Sequence, residues 1–217
     1  MPSGYKIVIA DDHPLFRGAL KQALAGIDNV ANVLEAGDFE AVKQLAISTE
    51  DIDLILLDLS MPGASGLSAL ISLRGIHPDV PMMVVSAHDD ITTIRRALEL
   101  GASGFISKSA SMDEIRHAVV TVLNGDVAAP AGIDLGVEQD PEISGIIRRL
   151  QSLTPQQTRV LGMLAEGLLN KQVAYELGVS EATIKAHVSA ILQKLGVDSR
   201  TQAVILLSRI GHEAQIH

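Results

Sequence analysis

Cysteine and tryptophan are absent from the chain, and aromatic residues make up only 2% of it. Without cysteine the chain has no disulfide and no thiolate metal site. No apolar run approaches the 18 or more residues that a membrane-spanning helix needs. The first residues also lack the basic segment and the apolar block of a signal peptide. We therefore expect a cytoplasmic protein with no membrane partner.

The net charge of -9 is unevenly distributed along the 217 residues. Residues 1–126 carry 17 acidic and 9 basic side chains, whereas residues 151–217 carry 5 acidic and 6 basic ones. The length predicts two domains, each able to bury its own core. Because the acidic excess belongs to the first domain, the net charge does not exclude DNA binding by the last one.

Residues 6–123 alternate apolar strands with amphipathic helices five times. The strand-like runs cover residues 7–10, 30–35, 54–57, 82–85 and 104–107. This alternation predicts a parallel sheet with helices on both faces. Right-handed crossovers and a single switch point favour the flavodoxin-like strand order. The predicted fold class is a five-stranded α/β flavodoxin-like domain, followed by an all-α helix-turn-helix domain.

Polar residues follow four of the predicted strands, at one edge of the sheet: Asp11 and Asp12, then Asp58, Ser86 and Lys108. Carboxylates about 5 Å apart repel by roughly 3 kcal/mol per pair, so this cluster suits a hard cation such as Mg²⁺. The hydroxyl of Ser86 and the ammonium of Lys108 suit phosphoryl oxygens. The chemistry predicted is attack by an Asp58 oxygen on a phosphoryl group. Alone, Asp58 could equally end a strand facing water, and Lys108 would be a surface lysine.

These motifs together resemble bacterial receiver domains, most closely those of the NarL/FixJ class of response regulators. The resemblance implies that Asp58 accepts phosphate from a sensor histidine kinase. It also implies that Asp11 or Asp12, with Asp58 and the backbone carbonyl of Ser60, binds Mg²⁺. Ser86 would hydrogen-bond the phosphoryl group, and Phe105 would be the aromatic switch residue. The motifs that carry the resemblance are residues 9–14, 58–62 with Gly66, 86–87 and 105–108.

The predicted division is a receiver at residues 1–125, a linker at 126–149 and a helix-turn-helix domain at 150–217. The linker is rich in glycine, proline and alanine, with a short helical pattern near its end. In the second domain Thr154 and Pro155 start a helix, Asn170 is the predicted cap of the next, and Ser180 that of the longest, at 181–195. A tight turn at Gly178 makes the helix-turn-helix pattern.

The 181–195 helix carries two stripes. Its apolar stripe is predicted to pack inward: Ile184, Val188, Ile191 and Leu195. Its polar or small stripe suits the floor of a major groove, although the stripe alone favours a solvated helix face: Lys185, Ala186, Ser189 and Gln193.

The pattern from Leu153 to Leu195 resembles the LuxR-type DNA-binding domain. The resemblance implies base contacts from one group and phosphate contacts from another: Lys185, Ala186 and Ser189, then Lys171, Thr183 and Lys194. His187, within the matching motif, is also a predicted DNA contact. Two positions depart from the family: Gln157 stands where glutamate is usual, and Ser189 replaces a basic residue that some members carry.

We therefore predict a phosphorylation-dependent transcriptional regulator that binds operator DNA through the 181–195 helix. Phosphorylation is expected to shift an equilibrium between a receiver-masked form and a form that dimerises on DNA. The last helix, at about 201–210, is expected to supply part of the dimer contact through residues 204–207, unless the monomer buries all four. RNA polymerase is a further candidate partner.

Two alternatives remain open at this point. An aspartate-nucleophile phosphatase would carry a second aspartate two residues after Asp58, where this chain has Ser60. We therefore expect no enzyme beyond a receiver that takes part in its own aspartyl phosphorylation and dephosphorylation. The other alternative is a protein-binding receiver whose C-terminal domain no longer reads DNA.

Overall fold

A computed structural model describes residues 4–63, 66–130 and 141–212. Within these residues the elements of the first domain are β1 (Tyr5–Ala10), α1 (Pro14–Leu24), β2 (Val30–Ala36), α2 (Phe39–Ser48), β3 (Leu54–Asp58), α3 (Leu67–Ile76), β4 (Met82–Ser86), α4 (Ile91–Glu99), β5 (Gly104–Ser107) and α5 (Met112–Leu123). The remaining helices are α6 (Pro141–Gln151), α7 (Pro155–Ala165), α8 (Asn170–Glu176), α9 (Glu181–Leu195) and α10 (Arg200–His212). The α/β domain followed by a helical domain is as predicted.

The five strands form one parallel sheet in the order β2-β1-β3-β4-β5, which confirms the flavodoxin-like topology. Every residue of the central strand β3 is buried, because helices cover both faces of the sheet. Side chains of β3 alternate between the two apolar cores: Leu54 and Leu56 lie in one, Ile55 and Leu57 in the other. Asp58 follows at the carboxyl end of this strand.

The helix starts of the second domain were predicted correctly at two of three positions. Thr154 and Gln157 form a capping box, and Ser180 Oγ accepts a hydrogen bond from Thr183 N at 3.1 Å. The prediction of Asn170 as a cap is wrong, since Asn170 is the first residue of α8. There Gln172 Oε1 accepts a hydrogen bond from Leu169 N at 2.7 Å and satisfies the free amide instead.

The helical pattern before the second domain is confirmed as α6, whose four isoleucine and leucine side chains are buried: Ile143, Ile146, Ile147 and Leu150. Residues 131–140 of the predicted linker lie outside the described residues. The proposed domain limits of 1–125, 126–149 and 150–217 stay a prediction. In the described part of the chain, no helix has the length and apolar character to cross a membrane.

The two domains pack against each other through helices. Helix α7 lies along α3, and α10 contacts α3 as well as α7 and α9. One continuous apolar cluster includes residues of both domains. On α10, Leu206 and Leu207 are buried and Val204 is half-buried, whereas Ile205 is 53% exposed. The monomer therefore does not bury all four consecutive apolar residues.

Candidate functional site

The centre of the candidate site is Asp58, the last residue of β3, which is only 1% exposed. One carboxylate oxygen, Oδ1, accepts a hydrogen bond from Ser60 N at 2.9 Å. The other, Oδ2, accepts one from Lys108 Nζ at 2.8 Å. Both oxygens of this buried carboxylate are therefore engaged, which holds it in one orientation at the edge of the sheet.

Lys108 links the three strand ends that carry the predicted chemistry. Its backbone N donates to Ser86 O at 2.8 Å, and its Nζ lies 2.7 Å from Asp11 Oδ2 as well as 2.8 Å from Asp58 Oδ2. Burial lowers the pKa of Lys108, but hydrogen bonds and charge attraction from Asp11 and Asp58 outweigh it and raise that pKa overall. Lys108 is therefore cationic at neutral pH and compensates part of the acidic charge.

The acidic cluster has the donors that a hard divalent cation takes. One ligand atom each of Asp11, Asp12, His13 and Asp58 lies within 4.8 Å of the others. Asp11 and Asp58 are buried, whereas the side chain of Asp12 is 28% exposed. Three carboxylates at a partly open edge fit Mg²⁺, which takes oxygen ligands and keeps several waters. Asp11, Asp12 and Asp58 would therefore hold the ion together.

Ser86 lies at the end of β4, the strand next to β3, and Phe105 lies one strand further in β5, as the strand order predicts. Ser86 ends β4 and pairs in register with Ser107, the residue before Lys108. Its buried Oγ accepts a hydrogen bond from His88 N at 3.0 Å. Phe105 pairs with Val84, and its side chain is buried in the core. The Ser86 hydroxyl thus lies at a strand end beside the site, and the Phe105 ring is buried in the core.

Three residues near the site were assigned no role from the sequence: His13, Phe16 and Arg17. The side chain of His13 is 63% exposed, and its Nδ1 lies 2.6 Å from Asp12 Oδ1 and 3.4 Å from Lys108 Nζ. Arg17 Nη1 donates to Asp11 O at 2.7 Å, and the Phe16 ring lies 5.2 Å from Lys108 Nζ. Their only signal was their position in the first turn after the acidic pair.

The second candidate site is the exposed face of α9. Its apolar stripe packs inward as predicted, with Val188 half-buried and the other three residues buried. The opposite stripe is exposed along its length: Lys185, Ala186, Ser189 and Gln193. The Lys185 side chain is 65% exposed, and Glu181 on the previous turn lies 3.0 Å from its ammonium. The receiver covers none of this stripe, so the expected receiver-masked form is not found at the reading helix.

The other predicted DNA contacts differ in their exposure and in their hydrogen bonds to the rest of the domain. Lys171 and Thr183 are exposed, and His187 is half-buried. Lys194 Nζ donates to Ser152 O at 2.7 Å and to Gln157 Oε1 at 2.9 Å, so it ties α9 to the start of α7. Because Gln157 is neutral where the family usually has glutamate, this contact does not neutralise the positive charge of Lys194.

Two family models match the chain. Residues 7–120 match the response regulator receiver domain, and residues 151–207 match the bacterial regulatory proteins of the luxR family. A glycerol metabolism activator of Pseudomonas putida is 41% identical over 98% of this chain and 99% of its own. The nitrate/nitrite response regulator protein NarP of Escherichia coli is 33% identical over 93% and 94%. A solved structure of two RcsB dimers bound to two parallel DNAs matches with a TM-score of 0.54, at 25% identity over 94% and 98%.

Proposed function

The chain belongs to the bacterial response regulators that join a receiver domain to a luxR-family DNA-binding domain, and from this premise we propose which residues carry each step. It is a DNA-binding transcription regulator of a two-component system and not a classical enzyme. Its expected place of action is the cytoplasm. The observation that carries the proposal is the buried Asp58 carboxylate, which is held by Lys108 beside two further acidic side chains.

Asp58 is the proposed phosphoacceptor for a sensor histidine kinase. A carboxylate oxygen of Asp58 forms the new bond to phosphorus, the bond from phosphorus to the kinase histidine nitrogen breaks, and that nitrogen keeps the electron pair. Bound Mg²⁺, held by Asp11, Asp12, Asp58 and the Ser60 carbonyl, would supply positive charge to the phosphoryl oxygens. Lys108 supplies a second positive charge, and Ser86 supplies a hydroxyl donor. Phe105 is the proposed switch residue.

The phosphoacceptor proposal is tested by incubating the full chain with acetyl phosphate in the presence and absence of Mg²⁺. Intact-mass spectrometry should show one phosphoryl group per chain when Mg²⁺ is present, because charge neutralisation is needed at this acidic site. Chelation with EDTA should remove most of the adduct formation. Equal phosphorylation with and without the metal would contradict the proposed site.

Asp12→Ala should weaken Mg²⁺ binding while raising the stability of the metal-free protein. The variant removes one carboxylate ligand and also one member of a mutually repelling acidic group. Titration calorimetry measures the affinity, and thermal unfolding without metal measures the stability. Asp28→Ala, which removes an exposed acid elsewhere on the receiver, is the matched control. An unchanged Mg²⁺ affinity in Asp12→Ala would remove this residue from the site.

Helix α9 is the proposed DNA-reading element. Its exposed stripe of lysine and small residues fits a major groove, with base contacts proposed for Lys185, Ala186 and Ser189. Phosphate contacts are proposed for Lys171, Thr183 and Lys194, and His187 lies on the same helix. Few cations remain on this face, so one domain binds weakly and a homodimer supplies the affinity. RNA polymerase is proposed as a further partner of the DNA-bound form.

Lys185→Ala and Lys171→Ala should separate base reading from phosphate binding. Loss of a base contact costs about 1–3 kcal/mol and relaxes the preference at one base position. Loss of a phosphate contact weakens binding to all sequences alike and makes the negative slope of log affinity against log salt shallower by about one unit. Fluorescence anisotropy on a set of single-base operator variants at several salt concentrations measures both. A changed base preference in Lys171→Ala would contradict the assignment of Lys171 to phosphate and Lys185 to a base.

A further inference from the structure

The carboxyl end of α9, the proposed DNA-reading helix, is bound by an arginine of α6. Arg149 Nη1 donates a hydrogen bond to Leu195 O at 2.8 Å, and its Nε donates to Gly145 O within α6 at 3.3 Å. The side chain is half-buried, and α6, whose apolar face is buried, contacts α9. The guanidinium is therefore held on one side by its own helix and on the other by the helix end that it binds.

The sequence at the end of α9 leaves one carbonyl for this arginine. Gly196 is in the left-handed conformation, with φ 66°, and ends the helix. Its N–H donates to Gln193 O at 3.2 Å, and Val197 N donates to Leu192 O at 3.0 Å. Because this pair of bonds is the usual one at a helix that glycine ends, the Leu195 carbonyl is left for a side-chain donor. A cation there also meets the negative end of the helix dipole.

Gly196 also leaves room for the guanidinium. A Cβ atom at this position would lie 3.1 Å from Arg149 Nη1, which is tighter than an ordinary van der Waals contact. In the same turn of α9, Lys194 Nζ donates to Ser152 O at 2.7 Å, between α6 and α7. Two cationic side chains therefore join the last turn of α9 to the segment where α6 ends.

The side chains of the exposed stripe of α9 lie at different distances from this end. Lys185 is in the second turn of the helix, and Ser189 and Gln193 follow at intervals of about 6 Å along its axis. The first turn of α9 is fixed separately, because the Ser180 side chain caps it directly after the tight turn from α8. Rotation of α9 about its first turn would therefore move Gln193 most and Lys185 least.

On the basis of the proposed function, we propose that Arg149 is a positioning residue for base reading. Its bond to the Leu195 carbonyl prevents α9 from rotating about its first turn and so fixes the far part of the exposed stripe against the groove. Arg149 lies before residues 151–207, which match the luxR family. The DNA-reading unit of this chain therefore begins with α6 and extends beyond the matched region.

Arg149→Ala tests this role on DNA. The probe is selected from random DNA by the full chain after acetyl phosphate treatment, and each of its bases is then varied singly. Lys185→Ala identifies the base position that is read near the start of α9. In fluorescence anisotropy, Arg149→Ala should lower the preference at one or more other positions about threefold or more and leave that at the Lys185 position unchanged. Arg148→Ala is the matched control, since it removes an equal charge from the exposed neighbour and should match wild type.

Two further variants separate positioning from folding. Arg149→Met keeps the aliphatic stem but removes both donors, so it should change the base preferences as Arg149→Ala does. Arg149→Lys keeps the charge and one donor and should recover most of the wild-type preference. An equal loss of affinity on every DNA, or failure of both the Ala and the Met variant to fold, would limit Arg149 to stabilising the fold. A salt dependence shallower by about one unit would make Arg149 a phosphate contact instead.

Amide hydrogen exchange of the full chain without DNA measures the same bond directly. In Arg149→Ala and Arg149→Met, exchange should be faster in the last turn of α9, at residues 192–197, and unchanged in its first turn, at residues 181–184. No change in the last turn, or unchanged base preferences despite such a change, would overturn the positioning role. If wild type bound no selected DNA, the proposed function would fail instead, while exchange would still report whether Arg149 holds the end of α9.

Discussion

Replacing Asp58 by asparagine is expected to abolish phosphoryl uptake while the fold survives. Asparagine keeps the size of the side chain and one carbonyl oxygen for the bond from Ser60 N, but its amide nitrogen is not a nucleophile for phosphorus. Asp58 is the carboxylate that ends β3, and its Oδ2 accepts a hydrogen bond from Lys108 Nζ at 2.8 Å. The expected effect is therefore complete loss and not a partial decrease.

Intact-mass spectrometry after treatment with acetyl phosphate and Mg²⁺ measures this loss. The matched control is Asp53→Asn, which changes an acid just before the start of the same strand, where Asp53 Oδ2 accepts a hydrogen bond from Lys6 N at 2.7 Å. That control should be phosphorylated like wild type. Near-normal thermal unfolding of Asp58→Asn would establish that the fold is kept, and undiminished phosphorylation of it would assign the acceptor role elsewhere.

The second large effect is expected for Ile205→Asp on α10. Ile205 is 53% exposed between buried Leu206 and half-buried Val204, so an aspartate there disturbs the monomer little. If α10 pairs two chains, the new charges face each other across an apolar contact. Their repulsion and burial remove the DNA affinity that pairing provides. The probes are an inverted-repeat DNA, selected from random DNA by acetyl-phosphate-treated protein, and the same DNA with one half scrambled. Affinity for the inverted repeat should fall by a factor of about ten or more, whereas affinity for the scrambled-half DNA should be unchanged.

Ile91→Asp is the matched control for this variant, because Ile91 of α4 is also 53% exposed but lies on the receiver. Fluorescence anisotropy with both DNA probes, using phosphorylated protein, measures the two affinities. Equal losses on both probes would mean that Ile205 acts on the fold or on DNA directly. No loss on either probe would exclude this face of α10 from the dimer contact.

The sheet and its polar edge were predictable from the sequence because each rests on local periodicity. Buried strands read as short apolar runs, and residues that follow them in a parallel sheet meet at one edge. That reasoning brought Asp11, Asp58 and Lys108 together correctly. The contribution of Arg17 was not predictable, since its bond to the Asp11 carbonyl depends on how the first turn of α1 faces the strand end.

The sequence-based predictions fail where two side chains can cap the same helix, or where elements far apart in the sequence meet. Asn170 is a good cap by type, but the Gln172 side chain satisfies the free amide and moves the start of α8 by one residue. The surroundings of α10 depend on α3, which lies about 130 residues earlier in the chain. Nothing in a pattern of helical spacing identifies Gly75 and Gly162 as the pair that lets α3 and α7 meet.

The most direct test of a phosphorylation-dependent regulator compares wild type and Asp58→Asn on DNA before and after acetyl phosphate treatment. The inverted repeat and its scrambled-half version serve as probes in one anisotropy titration. We predict that treatment increases the affinity of wild type for the inverted repeat alone and leaves Asp58→Asn unchanged on both. The same increase in Asp58→Asn, or no increase in wild type that mass spectrometry shows to be phosphorylated, would contradict the account.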